Sequence, residues 1–373
     1  MTTPPPAVIG MPLSEVETPA LLLDLDAFER NLKRLAQDVA GTGLRLRPHA
    51  KTHKSPTVAL AQMALGAVGS CCQKVSEAEA MVNGGVPDVY VSNQVVGAVK
   101  WRRLAQLARR ARVSTCVDDP MQIQGLSRAA QDAGVTLDVL VELNVGADRC
   151  GVNPGEPVAE LALQISKAPG LRFAGIQAYQ GAAQHQRTPA EREASIAEAV
   201  RRIGRSREAL TARGLTCETV TGAGTGTYPL EMASGVYHEL QAGSYAFMDV
   251  DYAKNRDAKG GQALSFEHSL FVYATVVSRP IPERAVLDAG LKSLSVDSGL
   301  PLVHGMPDVE YQRAADEHGK LLLKDPKRPL AVGDKLMLIP GHCDPTINLY
   351  DWYVCVRGGR VEALWAITAR GQW

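Results

Sequence analysis

The fold is decided by residues 88–144, which read DVYVSNQVVGAVKWRRLAQLARRARVSTCVDDPMQIQGLSRAAQDAGVTLDVLVELN. Short apolar runs lie at 88–93, 112–118 and 137–144, with little of the polar alternation of a half-exposed strand. Such runs, rich in Val, Ile and Leu, are typical of strands buried on both faces. The segments between them, 97–110 and 120–133, have the apolar periodicity of helices. The stretch therefore predicts alternating parallel strands and helices.

The same alternation extends from about residue 20 to residue 225. Further helices are predicted at 26–39, with Asp26 as the cap, at 156–168 and at 189–213. Strand–helix repeats of about 25–30 residues are the signature of a closed (β/α)8 barrel of the TIM type, and their regularity favours closure over an open doubly wound sheet. The class is therefore predicted to be α/β. The predicted barrel strands are 20–26, 44–51, 67–73, 88–93, 112–118, 137–144, 172–179 and 218–224.

The pattern changes after about residue 249, where short strands alternate with Pro-Glu-Arg, Val-Gly-Asp and Arg-Gly-Gly-Arg turns. This composition predicts a smaller antiparallel β domain. We expect the residues before the first barrel strand to join it, which divides the chain into a barrel at 19–249 and a β domain formed by 1–18 and 250–373. The predicted strands of that domain are 267–278, 284–289, 335–339, 352–357 and 360–369.

The charge balance and the cysteines narrow the class of protein. The 373 residues include 40 Lys and Arg and 40 Asp and Glu, which argues against nucleic acid or an anionic membrane as the main partner. No apolar run approaches the roughly 20 residues of a membrane span, and the N-terminal Met-Thr-Thr-Pro-Pro-Pro does not resemble a signal peptide. Without disulfide spacing, the cysteines are expected to be reduced thiols of a cytoplasmic protein: Cys71, Cys72, Cys116, Cys150, Cys217, Cys343 and Cys355.

One lysine is predicted to end a barrel strand. Lys51 closes the run 44–51, and the active residues of such barrels lie at the carboxyl ends of strands. A lysine at the barrel mouth, with a pKa lowered by burial and neighbouring cations, can form a Schiff base with a carbonyl compound. The alternative is that Lys51 and Lys54 are ordinary solvated loop lysines, which is the commoner situation for a lone lysine.

Two glycine-rich loops lie near the end of the barrel sequence. Gly222-Ala-Gly-Thr-Gly-Thr227 follows the last predicted barrel strand, and Gln241-Ala-Gly-Ser-Tyr245 lies just downstream. The N–H groups of loops at this place in a barrel commonly bind phosphate. Each loop alone is weak support because glycine-rich turns are common. Together with Lys51 they predict a phosphorylated aldehyde cofactor.

A second type of site is predicted in the β domain. His342 and Asp344 lie two residues apart, so on an extended segment both side chains point the same way and can share a cation. Imidazole and carboxylate suit Mn²⁺, Mg²⁺ or Zn²⁺. Cys343 would point the other way and is not expected to be a ligand. The alternative is a turn histidine followed by an Asx-type turn at Asp344-Pro345.

The motif Arg-Pro-His-Ala-Lys-Thr-His-Lys at 47–54 resembles the cofactor-lysine motif of the D-threonine aldolase and D-serine dehydratase-like family. Members of this family are fold-type III enzymes that depend on pyridoxal 5'-phosphate (PLP) and are related to alanine racemase. The resemblance covers almost the whole chain. Further motifs fall in family order at 18–24, 72–77, 92–93, 148–152, 177–179, His185, 222–226, 240–245 and 342–348.

The resemblance implies a role for each motif residue. Lys51 would bond covalently to PLP, and Arg149 would donate to its phenolate oxygen. Gln241 would face the pyridine nitrogen, where racemase relatives have an arginine. The residues expected to line the cofactor pocket or hold its phosphate are Gln73, Tyr179, Tyr245, Gly224, Thr225, Gly243 and Ser244.

The implied activity is that of a PLP- and metal-dependent aldolase. It would cleave D-3-hydroxy-amino acids such as D-threonine, D-phenylserine or D-3-hydroxyaspartate to glycine and an aldehyde. His342 and Asp344 would bind the metal, and His185 or a metal-bound water would take the β-hydroxyl proton. The His-x-Asp pair resembles the aldolases and favours Mn²⁺, whereas the dehydratases of the family have the softer His-x-Cys.

Other functions stay open at this point. The nearest rival is a metal-dependent dehydratase of D-serine or D-3-hydroxyaspartate that gives a keto acid and ammonia. A second rival is a non-catalytic PLP-binding protein, and a metal-dependent barrel lyase is the alternative if no PLP binds. Family members are usually homodimers, and we carry that expectation over.

Overall fold

The computed structural model describes residues 4–324 and 330–372. Its strands are β1 (Ala20–Asp24), β2 (Arg45–Leu46), β3 (Ser70–Cys72), β4 (Asp88–Gln94), β5 (Arg112–Val117), β6 (Leu137–Glu142), β7 (Leu171–Ala178), β8 (Thr219–Gly222), β9 (Glu239–Leu240), β10 (Leu270–Ile281), β11 (Arg284–Leu287), β12 (Leu302–Val303), β13 (Val309–Ala314), β14 (Gly319–Leu323), β15 (Lys335–Ile339), β16 (Trp352–Arg357) and β17 (Arg360–Ala366). The helices are α1 (Leu25–Val39), α2 (Pro56–Ala64), α3 (Val75–Asn83), α4 (Ala98–Leu107), α5 (Pro120–Ala133), α6 (Glu156–Lys167), α7 (Pro189–Ala212), α8 (Tyr228–Ala233), α9 (Val250–Ala253) and α10 (Cys343–Ile347). Short 3-10 turns lie at Leu13–Glu15, Ala182–His185 and Ser244–Ala246.

An eight-stranded parallel sheet forms the barrel. Its strand order is β2-β9-β8-β7-β6-β5-β4-β3. A parallel bridge between His49 and Cys71 joins the two end strands, together with hydrogen bonds from Ala50 N to Cys71 O and from Cys71 N to Pro48 O. The predicted α/β barrel is therefore confirmed, with closure where β2 and β3 meet.

The prediction that 20–26 is the first barrel strand is wrong. β1 pairs antiparallel with β10 and parallel with β16, so it lies in the sheet of the second domain. Its residues from Ala20 to Leu23 are fully buried, and a central strand of one sheet gives the same apolar run as a barrel strand. The eighth barrel strand is β9, which is too short to show a periodicity. The division of the chain near residues 19 and 249 remains a proposal, and the pairing of β1 places 20–24 with the β domain.

The second domain is built on a nine-stranded sheet with the path β13-β14-β11-β10-β1-β16-β17, from which β12 and β15 branch. Its pairs are antiparallel apart from β1 with β16, so the sheet is mixed. The strands predicted at 335–339 and 352–357 have the predicted bounds, and those predicted at 267–278, 284–289 and 360–369 are present with shifted ends. β12, β13 and β14 were not predicted.

The helices agree with their amphipathic patterns. The helix predicted at 120–133 has those bounds. α1 begins one residue earlier than predicted, and its cap is Asp24, whose Oδ1 accepts from Ala27 N at 3.0 Å, rather than Asp26. The short helices α2, α3 and α8 were not predicted. Within 4–324 and 330–372, no helix has the length and apolar character needed to cross a membrane.

The β domain reaches the barrel through α10. The Cys343 N–H donates to Asp249 Oδ2 at 3.1 Å, and the Asp344 carboxylate pairs with the Lys51 amine. α10 therefore lies over the carboxyl ends of the barrel strands, where active sites of such barrels form.

Candidate active site

A cavity of about 380 Å³ lies at the carboxyl ends of the barrel strands. It is within the size range of small-molecule sites. The structure brings nearly all of the predicted site residues to this cavity. Most of the lining comes from the loops after β2, β3, β7, β8 and β9. The predicted residues that line it are Lys51, Gln73, Arg149, Tyr179, His185, Gly224, Thr225, Gln241, Gly243, Ser244 and His342.

Lys51 lies in a turn beyond β2, not on a strand as predicted. β2 has only two residues and is followed by Pro48, which has no N–H to donate to a neighbouring strand. The amine of Lys51 pairs with the carboxylate of Asp344. Burial disfavours the charged amine, but the Asp344 carboxylate outweighs burial and raises the pKa of Lys51. The expectation of a lowered pKa is therefore wrong, because the charged group nearest to the Lys51 amine is an anion, Asp344.

The predicted phosphate loops supply buried backbone donors. Gly224 and Thr225 follow β8, Gly243 and Ser244 follow β9, and all are buried. Among the residues described, the N–H groups of these four donate to no acceptor of the protein. Buried N–H groups are nearly always paired, so unpaired donors around a cavity fit a bound anion.

The glycines of these loops are required by close packing. A Cβ on Gly224 would lie 2.4 Å from Gln184 Oε1, and a Cβ on Gly243 would lie 2.7 Å from the carbonyl oxygen of His49. A larger residue at position 243 would collide with backbone, whereas one at position 224 would require the end of the Gln184 side chain to move.

Tyr245 is the predicted cofactor residue that does not line the cavity. Its N–H donates to Thr225 Oγ1 at 3.0 Å, which ties the two phosphate loops together. Its ring is buried in the core, and its hydroxyl accepts from Gln62 Nε2 at 3.2 Å. Tyr245 therefore shapes the loops through its main chain instead of meeting a ligand with its ring.

A neutral histidine lies beside the lysine. Burial, with the charge of Lys51, lowers the pKa of His49 to about 3. His49 Nδ1 accepts from the Lys51 N–H at 3.3 Å, so the proton of the neutral ring is on Nε2. Nε2 lies 3.1 Å from Gln73 Oε1 and 3.2 Å from Ser92 Oγ. This network fixes Gln73 at the edge of the cavity.

Arg149 and Tyr179 form the opposite part of the lining. Arg149 follows β6, and its guanidinium lies 5.6 Å from the centre of the Tyr179 ring. That distance is within the range of a cation–π contact. Burial raises the pKa of Tyr179, so its hydroxyl stays protonated.

Gln241 lines the floor of the cavity as a neutral group. Its Nε2 donates to Gln177 Oε1 and to Thr221 Oγ1, both at 2.8 Å. Tyr90 also donates to Gln177 Oε1, at 2.9 Å. The amide is thus held in a buried hydrogen-bond network, which continues through the Thr221 hydroxyl to the Glu239 carboxylate.

The metal motif is present but not in the predicted conformation. His342 precedes the first turn of α10 as its N-cap, so the segment is helical and not extended. His342 Nδ1 lies 2.7 Å from Asp297 Oδ2, which leaves Nε2 as the free ring nitrogen. Ligand histidines usually have such a carboxylate on the second nitrogen.

Asp344 supplies the second predicted ligand. Burial alone would raise the pKa of Asp344, but Lys51 and His342 outweigh it and lower the pKa below its ordinary value. Its Oδ1 also accepts from Ser244 Oγ, at 3.4 Å. In the described part of the chain, no group of three or more His, Cys, Asp or Glu could hold a metal, so the protein offers an open pair of ligands. An imidazole and an ionised carboxylate fit a divalent cation that completes its shell with water or substrate. The buried thiol of Cys343 contacts Met248 O at 3.3 Å, so it faces elsewhere, although the extended backbone that this expectation assumed is replaced by a helical turn.

His185 lies at the end of the 3-10 turn that follows β7. Its Nδ1 is 2.5 Å from Asp251 Oδ2, and its ring stacks on Tyr252 with centroids 6.3 Å apart. Sequence reasoning gave no role to the cavity residues His49, Thr52, Ser92, Gln177 and Tyr252, nor to Asp251 and Asp297. His49 and Thr52 stood inside the lysine motif, whereas Asp251 and Asp297 had no sequence signal.

Comparison with known proteins agrees with this arrangement. Residues 23–251 match the N-terminal domain of alanine racemase, and residues 269–356 match a putative serine dehydratase domain. The chain belongs to the PLP-dependent fold-type III family.

Within the family, aldolases are nearer than dehydratases. The chain is 50% identical over 371 residues to the 3-hydroxy-D-aspartate aldolase of Paracoccus denitrificans (strain Pd 1222), covering 98% of this chain and 95% of the relative. The crystal structure of D-threonine aldolase from Filomicrobium marinum matches with a TM-score of 0.96 and 51% identity, covering 99% of each chain. The D-threo-3-hydroxyaspartate dehydratase from Delftia sp. HT23 matches with a TM-score of 0.82 and 28% identity, covering 95% of this chain and 98% of the other.

Proposed function

We propose that this protein is a PLP- and divalent-metal-dependent aldolase that cleaves D-3-hydroxy-amino acids to glycine and an aldehyde. The observation that most supports the proposal is the contact between the Lys51 amine and the Asp344 carboxylate, because it joins the proposed cofactor lysine to a proposed metal ligand. The identity to aldolases at about half of all positions supports the same reaction.

Each cofactor contact is assigned to a residue of the cavity. Lys51 would bond to the PLP aldehyde, Arg149 would donate to its phenolate oxygen, and Gln241 would face its ring nitrogen. The phosphate would take the free N–H groups of the loops after β8 and β9. When bound, PLP supplies an electron sink for the pair released when Cα–Cβ breaks.

The metal is assigned to His342 and Asp344. When bound, it supplies a Lewis acid that lowers the pKa of the substrate hydroxyl. The aspartate makes the pair harder than an imidazole with a thiolate, so Mn²⁺ is proposed ahead of Mg²⁺ and Zn²⁺. His185 is then the base that accepts the hydroxyl proton, since it lines the cavity and has a ring nitrogen free.

Product analysis tests the proposal. The purified protein, with PLP, is incubated with D-threonine and with D-3-hydroxyaspartate, in the presence and absence of Mn²⁺. We expect glycine and an aldehyde, formed only with metal. Ammonia and a keto acid would instead support the dehydratase, and a PLP-bound protein without turnover would support the non-catalytic alternative.

Metal affinity is expected to depend on Lys51 when PLP is absent. A charge-assisted hydrogen bond is worth about 1.5–3 kcal/mol, and the Lys51 side chain is 40% exposed, so the lower end applies. In PLP-free protein, Lys51→Met should therefore bind Mn²⁺ about tenfold more tightly than the unsubstituted chain, as measured by titration calorimetry. Lys74→Met, on an exposed lysine of the next loop, is the matched control. Equal affinities would mean that Lys51 does not compete with the metal for Asp344.

Two further parts of the proposal are a homodimeric state and a cytoplasmic location. The family resemblance supports the dimer. The location is supported by the free cysteines of the chain, which suit a reducing compartment.

A further inference from the structure

A buried carboxylate outside the cavity contacts the histidine assigned as the base. Asp251 lies on the short helix α9, and its side chain is 6% exposed. Its Oδ2 is 2.5 Å from His185 Nδ1. Asp249 caps the same helix by accepting from Tyr252 N at 3.0 Å, which fixes the helix that carries Asp251.

The other oxygen of Asp251 is held by an arginine. Arg187 pairs with Asp251 Oδ1, and its Nη1 donates to the carbonyl oxygen of Asp251 and to Asn255 Oδ1, both at 2.7 Å. Asn255 Nδ2 in turn donates to Gln184 O at 3.0 Å, next to His185 in the chain. The carboxylate is therefore fixed on both sides, and its position relative to His185 is set by the fold.

This contact determines which nitrogen of His185 is free. Burial would raise the pKa of Asp251, but the hydrogen bonds from His185 and Arg187 outweigh it and lower the pKa to about 2. An ionised carboxylate only accepts, so Nδ1 carries the proton and Nε2 of the neutral ring has its lone pair available. Tyr252 stacks on the ring and restricts its orientation.

We propose that Asp251 is a positioning residue for the reaction, which orients His185 and fixes the tautomer whose Nε2 accepts the substrate proton. The inference rests on the proposed function. The β-hydroxyl proton moves to Nε2, the oxygen forms the C=O bond of the aldehyde, and the Cα–Cβ pair stays with the amino-acid fragment. That fragment takes up a proton at Cα from water, to which the imidazolium returns its own proton, and leaves as glycine. The carboxylate of Asp251 stabilises the imidazolium that forms meanwhile, as in other Asp–His pairs.

The test is a double-mutant cycle on the PLP- and metal-loaded enzyme. Asp251→Asn keeps the size of the side chain but removes its charge, so we expect kcat to fall by about 10–100-fold and KM to change by less than about threefold. His185→Ala should lower kcat by about 100-fold or more. In the His185→Ala background, Asp251→Asn should cause no further loss, since a positioning residue acts only through the group it holds.

The control is Asp138→Asn. Asp138 also binds two basic side chains, Arg112 and Arg172, but at the amino ends of β5, β6 and β7, the opposite end of the barrel from the cavity. Its kcat should stay within about twofold of the unsubstituted enzyme. If Asp251→Asn does not fold, Asp251→Glu takes its place, and its loss of kcat should also vanish in the His185→Ala background.

The outcomes separate this inference from the proposed function. If the enzyme makes glycine but the decreases in kcat from Asp251→Asn and His185→Ala multiply in the double variant, the role of Asp251 is overturned and the proposed function is not. An unchanged kcat for Asp251→Asn or for His185→Ala would overturn it as well. An unsubstituted protein that forms no glycine from any D-3-hydroxy-amino acid would instead contradict the proposed function.

Discussion

Lys51→Ala is expected to abolish cleavage and to remove the absorbance band of the lysine-bound cofactor. Lys51 is the one lysine among the described residues that line the cavity, so no neighbouring amine can take its place. Because the phosphate loops are intact in the variant, we expect PLP to bind noncovalently with weakened affinity. The measurements are the visible spectrum of the purified variant and the rate of glycine formation.

Chemical trapping tests the same prediction directly, because it identifies the residue to which the cofactor is bonded. Borohydride reduction of the unsubstituted enzyme should leave a pyridoxyl group on the peptide that contains Lys51, as detected by mass spectrometry. Lys74→Ala, an exposed lysine in the loop after β3, should keep both the absorbance band and the activity. A variant without Lys51 that still shows the band, or a pyridoxyl group on another peptide, would mean that the lysine is misassigned.

The barrel could be predicted from the sequence because its strands and helices alternate in a regular way. The apolar run at Ala20–Asp24 satisfied the same rule and still belongs to the other sheet. Burial on both faces is a property of central strands in either domain, so composition does not identify the sheet. Only the pairing of β1 with β10 and β16 does so, and that pairing is made with residues about 250 to 330 positions later in the chain.

The short barrel strands were beyond sequence patterns for a different reason. β2 and β9 have two residues each, and β2 is followed by Pro48, which cannot donate to a neighbouring strand. Their pairing is maintained by the closure of the whole barrel and not by local propensity. The sequence pattern therefore predicted one strand over 44–51 that ends at Lys51, whereas this lysine lies in the turn beyond β2.

The residues of the candidate site divide in the same way. Those that meet the cavity through recognisable motifs, such as Lys51, Gly224 and His342, could be found from the sequence. Asp251 and Asp297 each contact a histidine of the site, yet no motif identifies them, since an isolated aspartate is usually a solvated residue. The helical turn at α10 was also missed, although it still brings Asp344 to the lysine.

His342→Ala is expected to remove metal-dependent cleavage while PLP stays bound. His342 supplies one of the two proposed protein ligands, and the remaining Asp344 is paired with Lys51 whenever that amine is free. Loss of a Lewis acid worth several kcal/mol corresponds to a decrease in kcat/KM of about 100-fold to 10,000-fold. The measurements are glycine formation across a series of Mn²⁺ concentrations and the metal content of the purified protein.

The control shows whether the loss of activity is specific to His342 or follows the removal of any histidine from this domain. His318 is exposed, so His318→Ala should keep full activity and full metal content.

In the unsubstituted enzyme, EDTA should stop cleavage and leave the cofactor absorbance unchanged, and added Mn²⁺ should restore the rate. In His342→Ala, added Mn²⁺ should not restore the rate, because a lone carboxylate binds the ion too weakly. Asp344→Cys would keep two ligands but make the pair softer, so metal affinity should shift from Mn²⁺ towards Zn²⁺. Undiminished cleavage in excess EDTA would show that the β-hydroxyl loses its proton without a metal, which would exclude a metal-bound water as the base and leave His185 as the proposed one.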